Sequence, residues 1–530
     1  GFWLGCSMKQ EKTGRKQSGL LRSTGVVSLF TMLSRMLGLT RDVVVANVFG
    51  AGGGADAFFV AFKIPNFFRR LFGEGAFSQA FVPVLSEYRT QREHLEVRLL
   101  VSYTLGSLGG VLLLLSTVCV VFAPGVTFLF APGFHDTPDK FDLAADMLRL
   151  TFPYLMLISL TAMLGSVLNS YGRFAVPAFT PVLLNLCLIS AALWLAPQLQ
   201  TPVLALAWGV LAAGVVQLVF QLPFIKQINL LTRPRWGWED AGVRRIMKLM
   251  LPALFGVSVA QINLLLDTVL ASFLVDGSVS WLYYSDRLME LPLGVFGIAI
   301  ATVILPSLSR NHAAQSRQAF ARTLDWAVRM VLLIGVPAAL ALVVLAGPLL
   351  VTLFQYGEFS PRDVARASQS LQAYGLGLVG FMLIKVLAPG FFARQDTTTP
   401  VKVGVKAMAA NMLLNLALIL PLAHVGLALA TSIAALLNAT LLWRGLWREG
   451  VYQAQPGWGR FLLRLALAAG AMVALVWALS PALEQWLAGG WVWRTGYLAL
   501  LVVAGVAAYF GTLLVLGMRL RDLVSRPDED

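Results

Sequence analysis

The chain has 530 residues, of which 58% are hydrophobic and only 13% are charged, and its mean hydropathy is +0.74. A soluble globule of this length could not bury so much apolar surface, which excludes a water-soluble enzyme and indicates a polytopic membrane protein. The net charge of +14 does not indicate nucleic-acid binding, because the basic residues are spread over many short loops. We therefore expect no nucleic-acid partner.

The amino-terminal region predicts a cytoplasmic tail over residues 1–23. Residues 1–7 indicate a remnant of an expression vector ahead of a start at Met8. The basic residues that follow resemble the start of a signal peptide, but Arg35 interrupts the apolar stretch and no small-residue cleavage site follows. The scattered cysteines and histidines predict neither a disulfide framework nor a metal cluster.

Apolar windows of about twenty residues, bounded by Pro, Gly or charge clusters, predict fourteen transmembrane helices. The expected fold class is therefore an all-α polytopic membrane protein, since lipid requires every backbone polar group to be satisfied internally. The predicted spans cover about 24–46, 55–84, 101–123, 147–169, 176–196, 203–224, 249–274, 279–305, 325–346, 367–392, 400–421, 425–447, 460–480 and 496–516.

The loops on alternate sides differ in their basic residues. One side contains only Lys140, Arg362, Arg366 and Arg494, and the other side contains many more. Because cytoplasmic loops are enriched in Lys and Arg, this distribution predicts that both termini are cytoplasmic.

An internal repeat indicates two parallel lobes. FVPVLS at 81–86 matches ILPSLS at 304–309, and LALAWGVLAA at 204–213 matches LALATSIAAL at 427–436. TPVLLNL at 180–186 likewise resembles elements within 399–416. Since six spans return the chain to the same side, we expect a site between the lobes near the midplane. The predicted parts are an N-lobe at 24–224, a cytoplasmic linker at 225–248, a C-lobe at 249–447, two added helices at 448–516 and a cytoplasmic tail at 517–530.

Ionisable residues interrupt the first two spans. A charged group at the bilayer centre costs about 2.5–3.5 kcal/mol on insertion scales, so such groups normally line an aqueous or protein interior. We interpret the stretch 31–88 as one wall of a polar cavity. Its charged residues are Arg35, Arg41, Asp42, Asp56, Lys63, Arg69, Arg70 and Glu74.

Two pairs of charged residues have helical spacing. Arg70 and Glu74 lie four residues apart, and Asp286 and Glu290 lie on one face of span eight beside Arg287. These residues either line the cavity or hold the helices of a lobe together, and the spacing alone does not distinguish the two.

Three arginines indicate an anionic cargo. The spacing of Arg41 and Asp42 does not predict a good helical ion pair, so Arg35, Arg41 and Arg287 leave surplus positive charge. A guanidinium binds phosphate oxygens in a bidentate manner, which favours a phosphorylated cargo. The alternative is that the side chains reach the membrane surface, which is the expectation for Arg149, Arg329 and Lys385.

A weaker set of oxygen-bearing residues suggests a small cation. Asp267, Asn411, Asn415 and Thr431 lie in spans seven, eleven and twelve. Their hard oxygen atoms suit Na⁺, although interhelical hydrogen bonding is the alternative. The sequence has no GxxxxGK[ST] motif, so no ATP hydrolysis of that kind is expected.

Four stretches together resemble one family. They are SRMLGLTRD at 34–42, the residues ADAFFVAFKIPNFFRRLFGEGAFSQAFVPVLSEY at 55–88, SVSWLYYSDRLMELPLGVFGIAIATVILPSLS at 278–309, and LAPGFFARQDTTTPVK at 387–402. They resemble the MurJ (MviN) family of bacterial lipid II flippases, within the multidrug, oligosaccharidyl-lipid and polysaccharide exporter superfamily. The resemblance implies two six-helix lobes in a V shape and a monomer in the inner membrane that uses the membrane potential. Lipid II is the implied substrate, and the cell-wall synthesis machinery is a further implied partner.

The same resemblance assigns roles to residues. It implies essential cavity arginines at Arg35, Arg41 and Arg287, and a functionally important acid at Asp56. It places Arg69, Glu74, Asp286 and Glu290 along the cavity or its lateral opening, and it makes the two added helices a groove for the lipid tail. Some members bind sodium through residues matching Asp267, Asn411, Asn415 and Thr431, although Asn415 replaces an expected carboxylate.

Other functions remain open from the residues. A flippase for another polyprenyl-diphosphate glycan fits the same arginines, whereas an exporter of cationic drugs would need an acidic cavity. A membrane glycosyltransferase would need a catalytic acid near an outer loop, where only a few acids lie. A scaffold without transport leaves the intramembrane charges unexplained.

Overall fold

The structure is a computed structural model that describes residues 2–519 and 521. The side chains of residues 2–21, 73, 74, 256, 259, 260, 298, 301 and 302 lie outside that description. Every regular element in the described part of the chain is a helix, which confirms the all-α class. The chain divides into two compact units. Unit 1 comprises Gly1–Val48 and Ala57–Gln261, and unit 2 comprises Phe49–Asp56 and Ile262–Asp530.

The first helices of the described chain extend from the amino terminus to the boundary between the units. They are α1 (Phe2–Phe49), α2 (Gly53–Phe68), α3 (Ser78–Gln91), α4 (His94–Val121), α5 (Ala123–Phe130), α6 (Pro138–Thr151), α7 (Tyr154–Ser170), α8 (Ala175–Ser190), α9 (Leu204–Gln227) and α10 (Ala241–Ala271). The boundary falls within α10, after Gln261. In unit 1, Phe81, Val84, Leu100 and Val167 form part of a buried core from α3, α4 and α7.

The remaining helices belong to unit 2. They are α11 (Ser278–Pro292), α12 (Ile298–Ala313), α13 (Arg317–Val344), α14 (Ala346–Phe354), α15 (Pro361–Phe392), α16 (Thr398–Leu422), α17 (His424–Arg448), α18 (Trp458–Leu479), α19 (Leu483–Ala488) and α20 (Trp491–Val515). Helix α15 begins with a capping box. The Ser360 hydroxyl accepts from the backbone N–H of Asp363, and the Asp363 carboxylate accepts from the backbone N–H of Ser360.

Ten helical segments of the described chain are long and apolar enough to cross a membrane. They correspond to predicted spans three to six and nine to fourteen. The other four predicted spans also lie in helices, namely 24–46 in α1, 55–84 in α2 and α3, 249–274 in α10, and 279–305 in α11 and α12. These four contain most of the charged residues predicted to form the site.

Two of the three π-helical segments in the described chain interrupt equivalent helices of the sequence repeat, and the third is Ala191–Leu195. Arg69–Phe77 lies between α2 and α3, and Leu293–Gly297 lies between α11 and α12. Each precedes one of the two matched motifs, 81–86 and 304–309. Both halves of the repeat thus have the same irregularity at this point. A π-helical turn is wider than an α-helical turn and is frequent at functional sites.

The amino-terminal end of α18 is attached to α13 through a buried carboxylate. Asp325 is 2% exposed and accepts hydrogen bonds from Arg329 Nε at 2.9 Å, Tyr452 Oη at 2.8 Å and Trp458 Nε1 at 2.8 Å. Arg329 also donates to the carbonyl of Gln455. The prediction that Arg329 extends to the membrane surface stays a prediction, and its guanidinium pairs with Asp325 and with the loop before α18.

Helices α18 and α20 form a hairpin, and its opposite end is attached through Arg494. Its guanidinium is buried and donates to the carbonyls of Trp486 and Leu487 at the end of α19. It also donates to the carbonyls of Val351 and Gln355 at the end of α14, and to the Gln355 side chain. The ends of helices leave carbonyl groups without partners, and a cation there is stabilising. Arg494 thus joins the two short helices α14 and α19.

Candidate functional site

Arg41, one of the predicted site arginines in unit 1, is held by hydrogen bonds to Asp42 and Asn185. Arg41 on α1 is 9% exposed, and its Nε and Nη2 donate to Asp42 Oδ1 at 3.1 and 2.9 Å. Its Nη1 donates to Asn185 Oδ1 on α8 at 3.0 Å, and Asn185 donates in turn to the carbonyl of Ser34. The expectation that Arg41 and Asp42 would pair poorly is wrong, because the long arginine side chain can fold back onto its neighbour.

The other predicted residues of unit 1 differ in exposure. Arg35 and Arg70 are exposed, whereas Arg69 is half-buried and donates from Nε to Asn66 Oδ1 at 3.1 Å. Arg69 and Arg70 open the π-helical segment, so the widened turn determines the direction of both. The Glu74 side chain lies outside the described residues, and its pairing with Arg70 stays a prediction.

In unit 2, Asp56 caps the beginning of α11. Its carboxylate is fully buried and accepts from Gly277 N at 2.7 Å, Ser280 N at 2.9 Å and Ser280 Oγ at 2.6 Å. The N-terminus of a helix favours negative charge, and three donors compensate the cost of burial. Gly277 has φ +98°, and a Cβ there would lie 2.8 Å from the Trp281 ring, so glycine is required at this turn.

The charged residues predicted on α11 lie together on one helix. Arg287 Nη1 lies 3.2 Å from Glu290 Oε2, and both side chains are partly exposed. Asp286 is half-buried beside them. The ion pair between Arg287 and Glu290 is partly exposed, and such a surface pair contributes only about 0–1 kcal/mol.

The predicted cation residues come together in part. Asn415 Nδ2 donates to Asp267 Oδ1 at 2.6 Å, and Asn411 Nδ2 donates to Asn263 Oδ1 at 2.7 Å and to Asp267 Oδ1 at 3.3 Å. The Oδ1 atoms of Asn411 and Asn415 are buried without a hydrogen-bond partner. Thr431 donates to the carbonyl of Leu427, one turn earlier on α17.

Three polar residues of these sites were missed by the sequence analysis. Asn185 orients Arg41, Ser280 holds Asp56, and Asn263 contacts Asn411. Asn185 carried a signal, since it lies in the TPVLLNL motif whose counterpart contains the asparagines of α16. Ser280 and Asn263 carried none, because a lone polar residue in an apolar helix has many possible partners.

Comparison with known proteins identifies the chain. The sequence profile described as "Lipid II flippase MurJ" matches residues 45–496. The chain belongs to the MurJ family. A probable lipid II flippase MurJ of Vibrio cholerae is 52% identical over 512 residues, which cover 95% of this chain and 97% of that relative. A second, from Haemophilus influenzae, is 51% identical and covers 94% of this chain and 100% of its own length.

Further relatives extend the similarity to lower identity. A lipid II flippase MurJ of Burkholderia cenocepacia is 42% identical, with 94% of this chain and 98% of the relative covered. A solved structure titled as lipid II flippase MurJ in an inward closed conformation matches with a TM-score of 0.79 at 27% identity. It covers 94% of this chain and 99% of its own. An inward-facing multidrug transporter of the MATE family matches with a TM-score of 0.64 at 14% identity, which shows a shared fold alone.

The residues predicted for the site fall into two sets of charged residues, one in each unit. Unit 1 contributes Arg35, Arg41, Arg69 and Arg70, and unit 2 contributes Asp56, Asp286, Arg287 and Glu290. The two sets differ in their state. Arg41 and Asp56 are buried and fixed by several hydrogen bonds, whereas Arg35, Arg70 and Arg287 remain accessible to a ligand.

Proposed function

We propose that this protein moves lipid II, the undecaprenyl-diphosphate-linked disaccharide-pentapeptide, from the inner to the outer leaflet of the bacterial cytoplasmic membrane. On this proposal it is a transporter rather than an enzyme. The observation that carries the proposal is the 52% identity, over nearly the full length of both chains, to a protein named as a probable lipid II flippase. Ten helices able to cross a membrane agree with an integral membrane protein.

Arg35, Arg41 and Arg287 are proposed to bind the diphosphate. Arg35 is exposed and the Arg287 side chain is 33% exposed, so phosphate oxygens can reach both guanidinium groups. Arg41 is already oriented by Asp42 and Asn185, which lowers the entropic cost of presenting it to a ligand. Bidentate contact between guanidinium and phosphate then supplies charge-assisted hydrogen bonds.

We propose fourteen spans in two six-helix lobes that form a V, with both termini in the cytoplasm and the two sets of charged residues facing one cavity. Alternating access would expose this cavity to each side in turn. The hairpin of α18 and α20 is proposed to form the groove for the lipid tail. Its attachments at Asp325 and Arg494 support a fixed position relative to the rest of unit 2.

The membrane potential is the proposed driving force. With the inside negative, outward movement of a doubly negative diphosphate would gain roughly 4–5 kcal/mol per 100 mV, from about 2.3 kcal/mol per charge. Movement of charged protein groups in the same direction would alter this gain.

A sodium ion is a second proposed energy source. The Asp267 carboxylate and two buried amide oxygens supply ligands that suit a hard cation. The Oδ1 atoms of Asn411 and Asn415 have no hydrogen-bond partner among the described residues. Thr431 would complete the set. Sodium bound there would supply positive charge in the interior of unit 2 and draw α10 and α16 together.

Substrate choice is tested by native mass spectrometry and by flipping assays in liposomes. We expect the purified protein to bind and flip lipid II in preference to an undecaprenyl diphosphate that carries an unrelated glycan. Equal flipping of both lipids would favour a general polyprenyl-diphosphate flippase, and export of a cationic drug without lipid flipping would favour a drug antiporter. We also expect the protein to function in liposomes as a monomer and without accessory proteins.

A further inference from the structure

The segment that connects α9 to α10 packs along α4. We call residues 231–238 the strap. Ser102 Oγ donates a hydrogen bond of 2.6 Å to the carbonyl of Arg233, and Gly237 N donates to Ser107 Oγ at 3.1 Å. The strap is thus held by side chains of a membrane helix, entirely within unit 1.

Glycines of α4 allow the strap to approach closely. A Cβ at Gly106 would lie 2.0 Å from the carbonyl oxygen of Arg235, and a Cβ at Gly110 would lie 2.8 Å from the Trp236 ring. Arg235 N also donates to the carbonyl of Ser102 at 3.1 Å. Any larger residue at Gly106 would push the strap away from the helix.

These contacts place the strap at the depth of the membrane. The predicted span begins at residue 101, and Gly110 lies nine residues further, or about 13 Å along α4. Non-helical backbone at this depth is tolerated only where protein groups satisfy its hydrogen bonds. The bonds from Ser102 and Ser107 meet that requirement.

The outer face of the strap combines aromatic and basic side chains. Trp236 is 62% exposed and Trp238 is 41% exposed, and their rings stack with centroids 5.5 Å apart and planes at 6°. Arg233 and Arg235 are exposed beside them. Among the described residues, neither guanidinium forms an ion pair with an acidic side chain. Indole rings prefer the membrane interface, and arginines bind phosphate there.

We propose that the strap inserts into the leaflet at which α4 begins, predicted to be the cytoplasmic one, and binds an anionic phospholipid. The two indoles lie among the glycerol and upper acyl groups, and Arg233 and Arg235 bind the lipid phosphate. A zwitterionic headgroup carries its own cation, so the two arginines select for lipids with a net negative charge. This role is independent of the transported cargo.

Native mass spectrometry of the full, delipidated protein with phosphatidylglycerol or phosphatidylcholine tests the site. We expect the variant Arg233→Gln/Arg235→Gln to lose one tightly bound phosphatidylglycerol, with affinity about 30-fold weaker from about fivefold per basic residue. Binding of phosphatidylcholine should not change. The variant Arg233→Lys/Arg235→Lys keeps the charge and should retain most of the phosphatidylglycerol binding.

The matched control is Arg362→Gln/Arg366→Gln, which removes two exposed arginines from the start of α15. It should bind phosphatidylglycerol as the unchanged protein does. Undiminished binding by the strap glutamine variant, or an equal loss in the control, would overturn the proposal.

A second measurement tests insertion. The protein is placed in nanodiscs of phosphatidylglycerol with brominated acyl chains, and its tryptophan fluorescence is compared with that of Trp236→Phe/Trp238→Phe. We expect bromine to quench the part of the fluorescence that this variant lacks. If that fluorescence is instead quenched by iodide in the water, the indoles face the solvent or a soluble protein, and the lipid site is excluded.

Discussion

Asp56 shows how one residue can satisfy the end of a helix that follows far along the sequence. Its buried carboxylate accepts three hydrogen bonds from Gly277 and Ser280 at the beginning of α11. Two of these donors are backbone N–H groups that the helix itself cannot satisfy. Asp56 therefore stabilises unit 2 whatever further part it plays in transport.

Replacing Asp56 by Ala should lower the stability of the protein by about 3 kcal/mol, because it leaves buried donors without an acceptor. The measurement is thermal unfolding of the purified variant in detergent. Asp142→Ala, which removes an exposed carboxylate from α6, is the control and should leave the melting temperature nearly unchanged. Equal melting temperatures for Asp56→Ala and the unchanged protein would contradict the capping role.

Asp396 caps α16 outside the membrane and should make stability depend on pH. Its carboxylate accepts from the Thr399 hydroxyl and from the backbone of Thr399 and Thr398, which lowers the pKa of Asp396 below 3.8. Because the folded pKa is the lower one, this stabilisation is full above pH 3.8 and is lost as pH falls through the folded value.

The variant Asp396→Ala should therefore be less stable than the unchanged protein at neutral pH, by about 0.5–2 kcal/mol. The difference in melting temperature should shrink when the pH is lowered from 6 towards 3. A difference that does not change with pH would show that the ionised carboxylate is not the cap.

At the scale of elements, the π-helical turn before α3 depends on a glycine. A Cβ at Gly75 would lie 2.5 Å from the carbonyl of Arg70 and 2.9 Å from Val257 on α10. An alanine in a helix is normally favourable by about 0.5–1 kcal/mol relative to glycine. Here we expect the opposite sign, because the backbone atom of Arg70 cannot move aside.

Gly75→Ala should thus destabilise the protein by about 1–3 kcal/mol, the range found for overpacked sites. The matched control is Gly109→Ala on α4, where a Cβ would meet only Leu160 at an ordinary distance of 3.7 Å. That control should be neutral or slightly stabilising in the same thermal melt. A loss of stability in both variants would show that the π-helical turn is not specially constrained.

Arg494 determines how the hairpin of α18 and α20 is attached. Replacement by Met keeps an unbranched apolar stem but removes the guanidinium and with it all the donors to the ends of α14 and α19. We expect a loss of about 2–4 kcal/mol, since several buried carbonyls lose their partner. Limited proteolysis between α18 and α20 should also become faster. Unchanged proteolysis and stability would show that other contacts hold the hairpin.

The sequence predicted the elements better than it predicted the partners of individual charges. Apolar windows located the helices because their length follows from the thickness of the bilayer. The partners of Asp325 were missed because Tyr452 and Trp458 lie more than a hundred residues away. The pairing of Arg41 with Asp42 was missed for another reason, since a rule on helical spacing ignores how far a flexible side chain can fold back.

At the scale of the molecule, the sequence repeat has a physical counterpart. Both halves interrupt the equivalent helix with a π-helical segment just before the matched motif. The charges near these segments differ, with Arg69 and Arg70 in one half and Asp286, Arg287 and Glu290 in the other. The repeated element thus carries different charges in its two halves.

The most direct test of this account measures flipping of lipid II by purified Arg287→Ala in liposomes. Arg310→Ala, which removes an exposed arginine near the end of α12, serves as the control for folding and insertion. We predict that Arg287→Ala inserts and melts like the unchanged protein but has lost flipping, while Arg310→Ala flips normally. Lipid II flipping by Arg287→Ala at the rate of the unchanged protein would contradict the central claim that this guanidinium binds the diphosphate.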